Sequence, residues 1–209
     1  ANTNYTFCTS EDITSPVTDG FAEFTIDIKQ GTFVTNEFVV DTSQPNQKFI
    51  IPNPYVDTST LKVQVRDTLT SSSRKTYSQI DNIVGISTHS ETFLIQEIQD
   101  EKYELLFGDG VLGKRLSNGN VINSTYIVTD GVGGNGVSNF SFSGKLVDND
   151  GGLITSGISD IITNERSRNG AEVESIDTIR NLSTRVYSAQ HRAVTANDYE
   201  AIIPTIFPN

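Results

Sequence analysis

One cysteine, no methionine and no tryptophan occur in these 209 residues. A single Cys8 excludes an intrachain disulfide framework, so the fold rests on packing or on other chains. Leucine and alanine together number 17, against 38 valines and isoleucines. That scarcity disfavours a helical protein and favours β-branched strands. Nothing approaches the roughly 18 consecutive apolar residues of a membrane-spanning helix. No charged stretch followed by an apolar run opens the chain, so no signal peptide is expected. Basic residues are also few: 15 Lys and Arg stand against 26 Asp and Glu, a formal net charge of −11. A nucleic-acid backbone or an anionic membrane is therefore an improbable partner for the chain as a whole.

What is abundant is polar and small. Serine, threonine and asparagine number 62 of the 209, the composition of short strands joined by polar turns. Residues 1–20 show no period and are expected to form an arm or linker. From Phe21 the segment FAEFTIDI alternates, with Ala22, Phe24, Ile26 and Ile28 on an apolar face; it predicts a strand that turns at KQGT and returns as FVTNEFVV. Further strands are expected at 48–51, 61–66, 83–87, 92–98, 102–107, 121–128 and 138–147. No helix-period segment separates them, which predicts a mainly β domain over 21–147, an antiparallel sandwich or meander. DNDGG at 148–152 marks a boundary, and 148–170 reads as a linker with room for short strands.

Beyond it the period becomes helical. Val173, Ile176, Ile179, Leu182 and Val186 form an amphipathic stripe over 171–187, with Asn169 as the expected N-cap and Tyr187 at its end. A second start signal follows, Thr195 as cap with Asp198 three residues on and Val194 and Tyr199 as a staple. The fold class is thus mainly β followed by a short helical segment over 171–209. The absence of an initial Met and the stop inside this second helical pattern suggest a piece of a longer polypeptide, with the packing partner of the helices beyond the 209 residues.

Motif tests for chemistry come out bland. GDGVLG at 108–113 matches G-x-G-x-x-G, but KRLSNGNVI after it is turn and strand rather than the helix a dinucleotide site requires. Gly108, Gly110 and Gly113, like Gly133, Gly134 and Gly136 further on, are expected in tight turns at positive φ. DNDGG lacks the later ligands of a calcium loop, with Leu153 and Ser159 where Gly and Glu belong. Cys8, His89 and His191 have no nucleophile–base or zinc-site neighbours. No catalytic residue, metal or cofactor is expected. Five arginines at 166, 168, 180, 185 and 192 stand out in an acidic chain. Arg180, Arg185 and Arg192, together with the apolar stripe, are candidates for docking another protein, a solvated helix surface being the alternative.

Two segments, with the 21–41 hairpin in keeping, carry a resemblance. YELLFGDGVLGKRLSNGNVINSTYIVTDGVGGNGV is similar to the strand–GDG–strand–GGNG segment of bacteriophage baseplate wedge proteins. NGAEVESIDTIRNLSTRVYSAQHRAVTANDYEAII resembles the baseplate J-like signature at Gly170, Glu172, Glu174, Arg192, Val194, Thr195, Asp198, Tyr199 and Glu200. In insertions and length it looks closest to the large wedge subunit of T-even-type myophages. The resemblance implies a structural role: a ring of wedges around the tail hub, contacts with other wedge subunits and with a second copy, and a change of arrangement passed to the sheath. It implies a virion location in the tail baseplate after assembly in the host cytoplasm, and no catalytic residues. A receptor- or glycan-binding β-module is the alternative from another class, weakened by the lack of Trp as a stacking surface.

Overall fold

The computed structural model describes residues 3–9, 11–82, 84–157, 161–190 and 192–206, and of 204–206 the backbone alone. Ile83, at the start of one expected strand, and His191 lie outside the described residues. In chain order the elements are β1 (Phe7–Cys8), β2 (Lys29–Gln30), β3 (Thr32–Val39), β4 (Phe49–Ile51), β5 (Val56–Arg66), β6 (Arg74–Gln79), β7 (Thr92–Ile98), β8 (Lys102–Phe107), β9 (Val121–Val128), β10 (Leu146–Val147), β11 (Leu153–Ile154), α1 (Ile176–Ala189) and α2 (Ala196–Ile206). They divide into two compact units, Ala1–Thr129 and Asp130–Asn209. The chain is mainly β with a terminal helical segment, the expected class.

The first unit holds a seven-stranded sheet in the order β3-β9-β5-β6-β7-β8-β4. β9 lies between β3 and β5, and its sequence VINSTYIV suits that place. β-branched and aromatic residues fit a pleated surface buried on both sides, and Val121, Ile122, Tyr126 and Ile127 are fully buried. Its polar residues are satisfied across strands. Asn123 accepts from Arg66 Nε at 3.0 Å and donates to Glu37 Oε2 at 3.0 Å. Arg66 also pairs with Glu37 directly, closing a three-residue network over β3, β9 and β5. The register of β5 slips against β9 between Asp57 and Lys62. Thr60, buried in that bulge, takes up the stranded N–H of Ile127 at 2.9 Å and donates to Asp57 O at 2.7 Å.

Aromatic rings knit the inner face. Phe107 meets Phe49 and Tyr77 edge-on, each at 5.7 Å between centroids, and Phe49 meets Phe38 at 5.9 Å. Phe38 and Phe49 belong to the strands at opposite ends of the sheet. Their contact requires the sheet to roll over on itself, so that one sheet encloses its own core with Phe93, Leu105, Val63 and Val65 inside.

Several expectations change. FAEFTIDI is not a strand: residues 22–28 carry no regular structure, and Phe21 is 80% exposed. KQGT is not a hairpin turn either. Lys29 and Gln30 pair with Cys8 and Phe7, and the N–H of Gly31 goes to Thr6 O at 2.9 Å. The returning strand therefore pairs with β9 over all eight residues instead of with its upstream neighbour, and the 21–41 hairpin does not form. Residues 84–87 form no strand, Val84 and Gly85 being turn, because they belong to the crossover joining β6 to β7. These two run parallel, the one exception to antiparallel pairing among the described strands. β6 escaped the sequence reading because RKTYSQ buries only Tyr77. Of 138–147 only Leu146–Val147 is strand.

In the second unit β10 and β11 form a two-stranded hairpin. DNDGG is its turn: Asp148 Oδ1 accepts from Asp150 N at 3.0 Å and from Gly152 N at 2.7 Å. α1 starts at Ile176, later than expected, because Ser175 rather than Asn169 caps it, accepting from Thr178 N at 3.1 Å. Val173 consequently precedes the helix. α1 ends on Gln190 in a left-handed conformation, φ 50°, and packs against α2 with Ala189 and Ala201 buried.

Candidate functional site

Three groups of residues singled out by sequence can be placed: the 108–113 glycine loop, the 131–136 glycine loop and the helix pair. The first follows β8. Asp109 Oδ1 accepts from Val111 N at 2.8 Å and from Leu112 N at 2.9 Å. Gly110 N donates to Gly113 O, Gly113 N to Ser87 O and Lys114 N to Ser90 O, at 3.1, 3.1 and 2.9 Å. Every amide from 110 to 114 is thus engaged within the protein. A phosphate cradle offers such amides to a ligand; this loop spends them on its own closure and on the β6–β7 crossover. Gly110 and Gly113 have φ of 91° and 84°, whereas Gly108 does not have positive φ. Gly108 is required by proximity instead, since a Cβ there would lie 2.2 Å from the backbone carbon of Gly113.

Two predictions arise here. At Gly110 a side chain has room, its ideal Cβ lying 3.6 Å from Arg115 Cβ, so the cost of Gly110→Val comes from the left-handed backbone alone. A loss of ~1 kcal/mol or more is expected in denaturant unfolding, with Gly110→Asn costing less. Equal losses for the two variants would count against a conformational cause. The second concerns acid. The N–H groups of Leu112 and then Val111 hold the Asp109 carboxyl below its ordinary 3.8. A lowered folded pKa stabilises the protein above the unfolded value, and that contribution disappears as pH falls through the folded one. Asp109→Asn keeps an acceptor without the titration. Its stability is expected to decline less steeply below pH 3.8, and parallel acid profiles for variant and parent would refute the assignment.

The second loop departs from expectation in detail. Gly136 has φ 84° and Gly131 φ 58°, but Gly133 and Gly134 lie in a 3-10 turn, Gly131–Gly134, without positive φ. Two residues missed by sequence reasoning hold it. Ser167 Oγ donates to Gly134 O at 2.6 Å and accepts from Val137 N at 2.8 Å, while its backbone pairs with Gly136 and Val137. Asn135 exchanges two 2.8 Å bonds with Gly170, Nδ2 to O and N to Oδ1. Gly170 must be glycine: a Cβ would lie 2.3 Å from Gly131 O. The Asn169-Gly170 pair, with Asn169 at φ 67°, thus closes a loop onto the 131–136 segment instead of capping a helix. Reciprocal Asn and Gly contacts between segments 35 residues apart have no local signature.

On the helix pair the expected stripe divides. Leu182 and Val186 are half-buried, whereas Val173, Ile176 and Ile179 are exposed, Ile176 by 73% and Ile179 by 49%. Tyr187, Val194, Tyr199 and Ile203 add further exposed apolar surface in the same unit. Single exposed apolar residues are ordinary; here five lie on the two helices, and Val173 and Val194 lie just ahead of them. Arg180 pairs with Asp177 one turn back at 3.3 Å, Arg192 reaches Gln190, and Arg185 is exposed. Asp198 Oδ2 accepts from Thr195 N at 2.8 Å and Val194 N at 3.2 Å, and Thr195 Oγ1 accepts weakly from Asp198 N at 3.4 Å. These bonds hold the Asp198 carboxyl below its usual range. Val194 and Tyr199 are both exposed, so no buried staple forms.

Among the described residues no cluster of three or more His, Cys, Asp or Glu could hold a metal ion, and no helix is long and apolar enough to cross a membrane. His89 Nδ1 lies 2.9 Å from Thr88 Oγ1, its immediate neighbour, on an exposed turn.

Against known proteins, the chain is similar to baseplate wedge protein gp6 of Enterobacteria phage T4, with 28% identity over 196 residues. The match takes in 86% of this chain and spans 28% of the length of that protein. No family model matches the sequence.

Proposed function

We propose that this chain is a structural part of a bacteriophage tail baseplate, a wedge-like element and not an enzyme. The observation that carries the reading is the similarity to the T4 wedge protein along most of the chain. The chemistry of the surface supports it: a glycine loop at 108–113 whose amides are spent internally, and a helical segment that presents isoleucine, valine and tyrosine alongside arginine. In the finer form of the proposal, the chain sits in the wedge ring around the hub of a contractile tail and passes conformational change to the sheath. It is built into the virion in the host cytoplasm. Val173, Ile176 and Ile179, with Arg180, Arg185 and Arg192 at the rim, dock another wedge subunit. The apolar centre supplies affinity and the arginines orientation.

Immunogold labelling of purified tails with antibody against the full chain tests this reading. Gold is expected at the baseplate end of the tail tube. Labelling confined to fibre tips would favour the receptor-binding alternative, and unlabelled tails would remove the chain from the virion.

A further inference from the structure

We propose that residues 21–28 of one copy add as a strand to the open edge of β3 in a second copy. The inference goes beyond the baseplate reading and does not depend on it. Two observations in the first unit carry it. The segment FAEFTIDI has the full alternation of a half-buried strand, yet residues 22–28 pair with no strand among the described residues, and Phe24 is 45% exposed. β3, by contrast, is an eight-residue terminal strand with β9 on one side and, among the described residues, no strand on the other. Natural edges are usually short, bulged or guarded by Lys or Pro. THR-PHE-VAL-THR-ASN-GLU-PHE-VAL in β3 contains neither, and its single charge, Glu37, is occupied by Arg66 and Asn123.

The same chain cannot supply the strand to itself. Lys29 and Gln30 are pinned to Cys8 and Phe7, and Gly31 to Thr6, which carries the chain away from β3 just before β3 begins. A second copy is under no such constraint, and it offers the matching pattern. In an antiparallel register that sets Thr25 opposite Glu37, Phe24 falls beside Phe38 and Ile28 beside Val34, on the face where Val34 and Phe38 pack against the core. Asp27 then faces Thr35 and Glu23 faces Val39, so neither acid meets Glu37. Main-chain hydrogen bonds would give affinity and the alternate side chains register, the general mode of strand addition.

Disulfide trapping between full-length chains tests the pairing. Cys8 donates to Gly31 O, so Cys8→Ser retains a donor and supplies the background. One chain carries Asp27→Cys, the other Thr35→Cys, mixed at high concentration under mild oxidation. A mixed disulfide dimer is expected well above that formed between Asp27→Cys and Thr70→Cys, an exposed position in the loop after β5 rather than on the β3 edge. Adding Phe24→Asp to the first chain should weaken the association roughly tenfold to a hundredfold and remove the mixed dimer, with an unchanged unfolding midpoint because Phe24 packs in no core. Trapping no greater than the Thr70 control, or trapping indifferent to Phe24→Asp, would overturn the proposal. Neither outcome bears on where in a virion the chain resides.

Discussion

Gly31→Ala is expected to cost the first unit ~3 kcal/mol or more and to shift its denaturant midpoint accordingly. Two causes act together at this residue. Its φ of 137° lies where residues with a side chain are rarely found. In addition, an ideal Cβ would stand 2.4 Å from Val128 O and 2.3 Å from Ile127 Cγ2. The second contact is with a side chain, but Ile127 is fully buried and has nowhere to go. The first is with the backbone of β9, which is held on one side by β3 and on the other by β5. Relief would need β9 to move against both neighbours, so strain is carried into the sheet. Gly119→Ala is the matched control. Gly119 also has a positive φ, 82°, but nothing lies within 4 Å of its ideal Cβ, and a loss of only ~1 kcal/mol is expected there. If the two variants unfold at the same midpoint, close approach contributes nothing and the account of Gly31 is wrong.

The contrast between those two glycines shows what a sequence can and cannot disclose. Strands 92–98, 102–107 and 121–128 were legible because they carry strong runs of β-branched and aromatic residues bounded by turn formers. Their pairing order was not, since it depends on which hydrogen-bond edges remain free after other segments have taken theirs. FAEFTIDI shows this most clearly. Its period is that of a strand, but Phe7–Cys8 takes Lys29–Gln30 first, and β3 goes to β9. The helices were legible from their period, while α1 starts five residues later than expected because Asn169-Gly170 looks like a cap and serves as a clamp on Asn135. Ser175, the actual cap, with Thr178 three residues on, was not singled out. Sequence could not rank the two, because the contact that decides between them is with a segment 35 residues away. For the proposed docking surface the stripe itself could be read; which of its members are half-buried could not.

On the proposed function, Ile179→Asp is expected to abolish binding of the chain to baseplate partners while leaving the unfolding of the Ala1–Thr129 unit unchanged. Ile179 lies between the half-buried Leu182 and the exposed Ile176 on α1 and keeps half its surface in solvent. In the free chain an aspartate there would remain largely hydrated. In an interface the same carboxylate would be stripped of water without a partner, a penalty of several kcal/mol that the loss of an isoleucine compounds. The position also decides between surface and core. A core residue on α1 would cost the helix pair its packing when replaced by a charge, and far-ultraviolet circular dichroism would then show lost helix. Ile179→Ala serves as the milder companion, removing apolar contact without introducing charge, and should weaken co-purification with the proposed partners by roughly tenfold. Full retention of binding by Ile179→Asp would place the docking surface elsewhere. Loss of helix in the isolated variant would return the stripe to the interior of its own unit, with nothing left on it for another subunit to read.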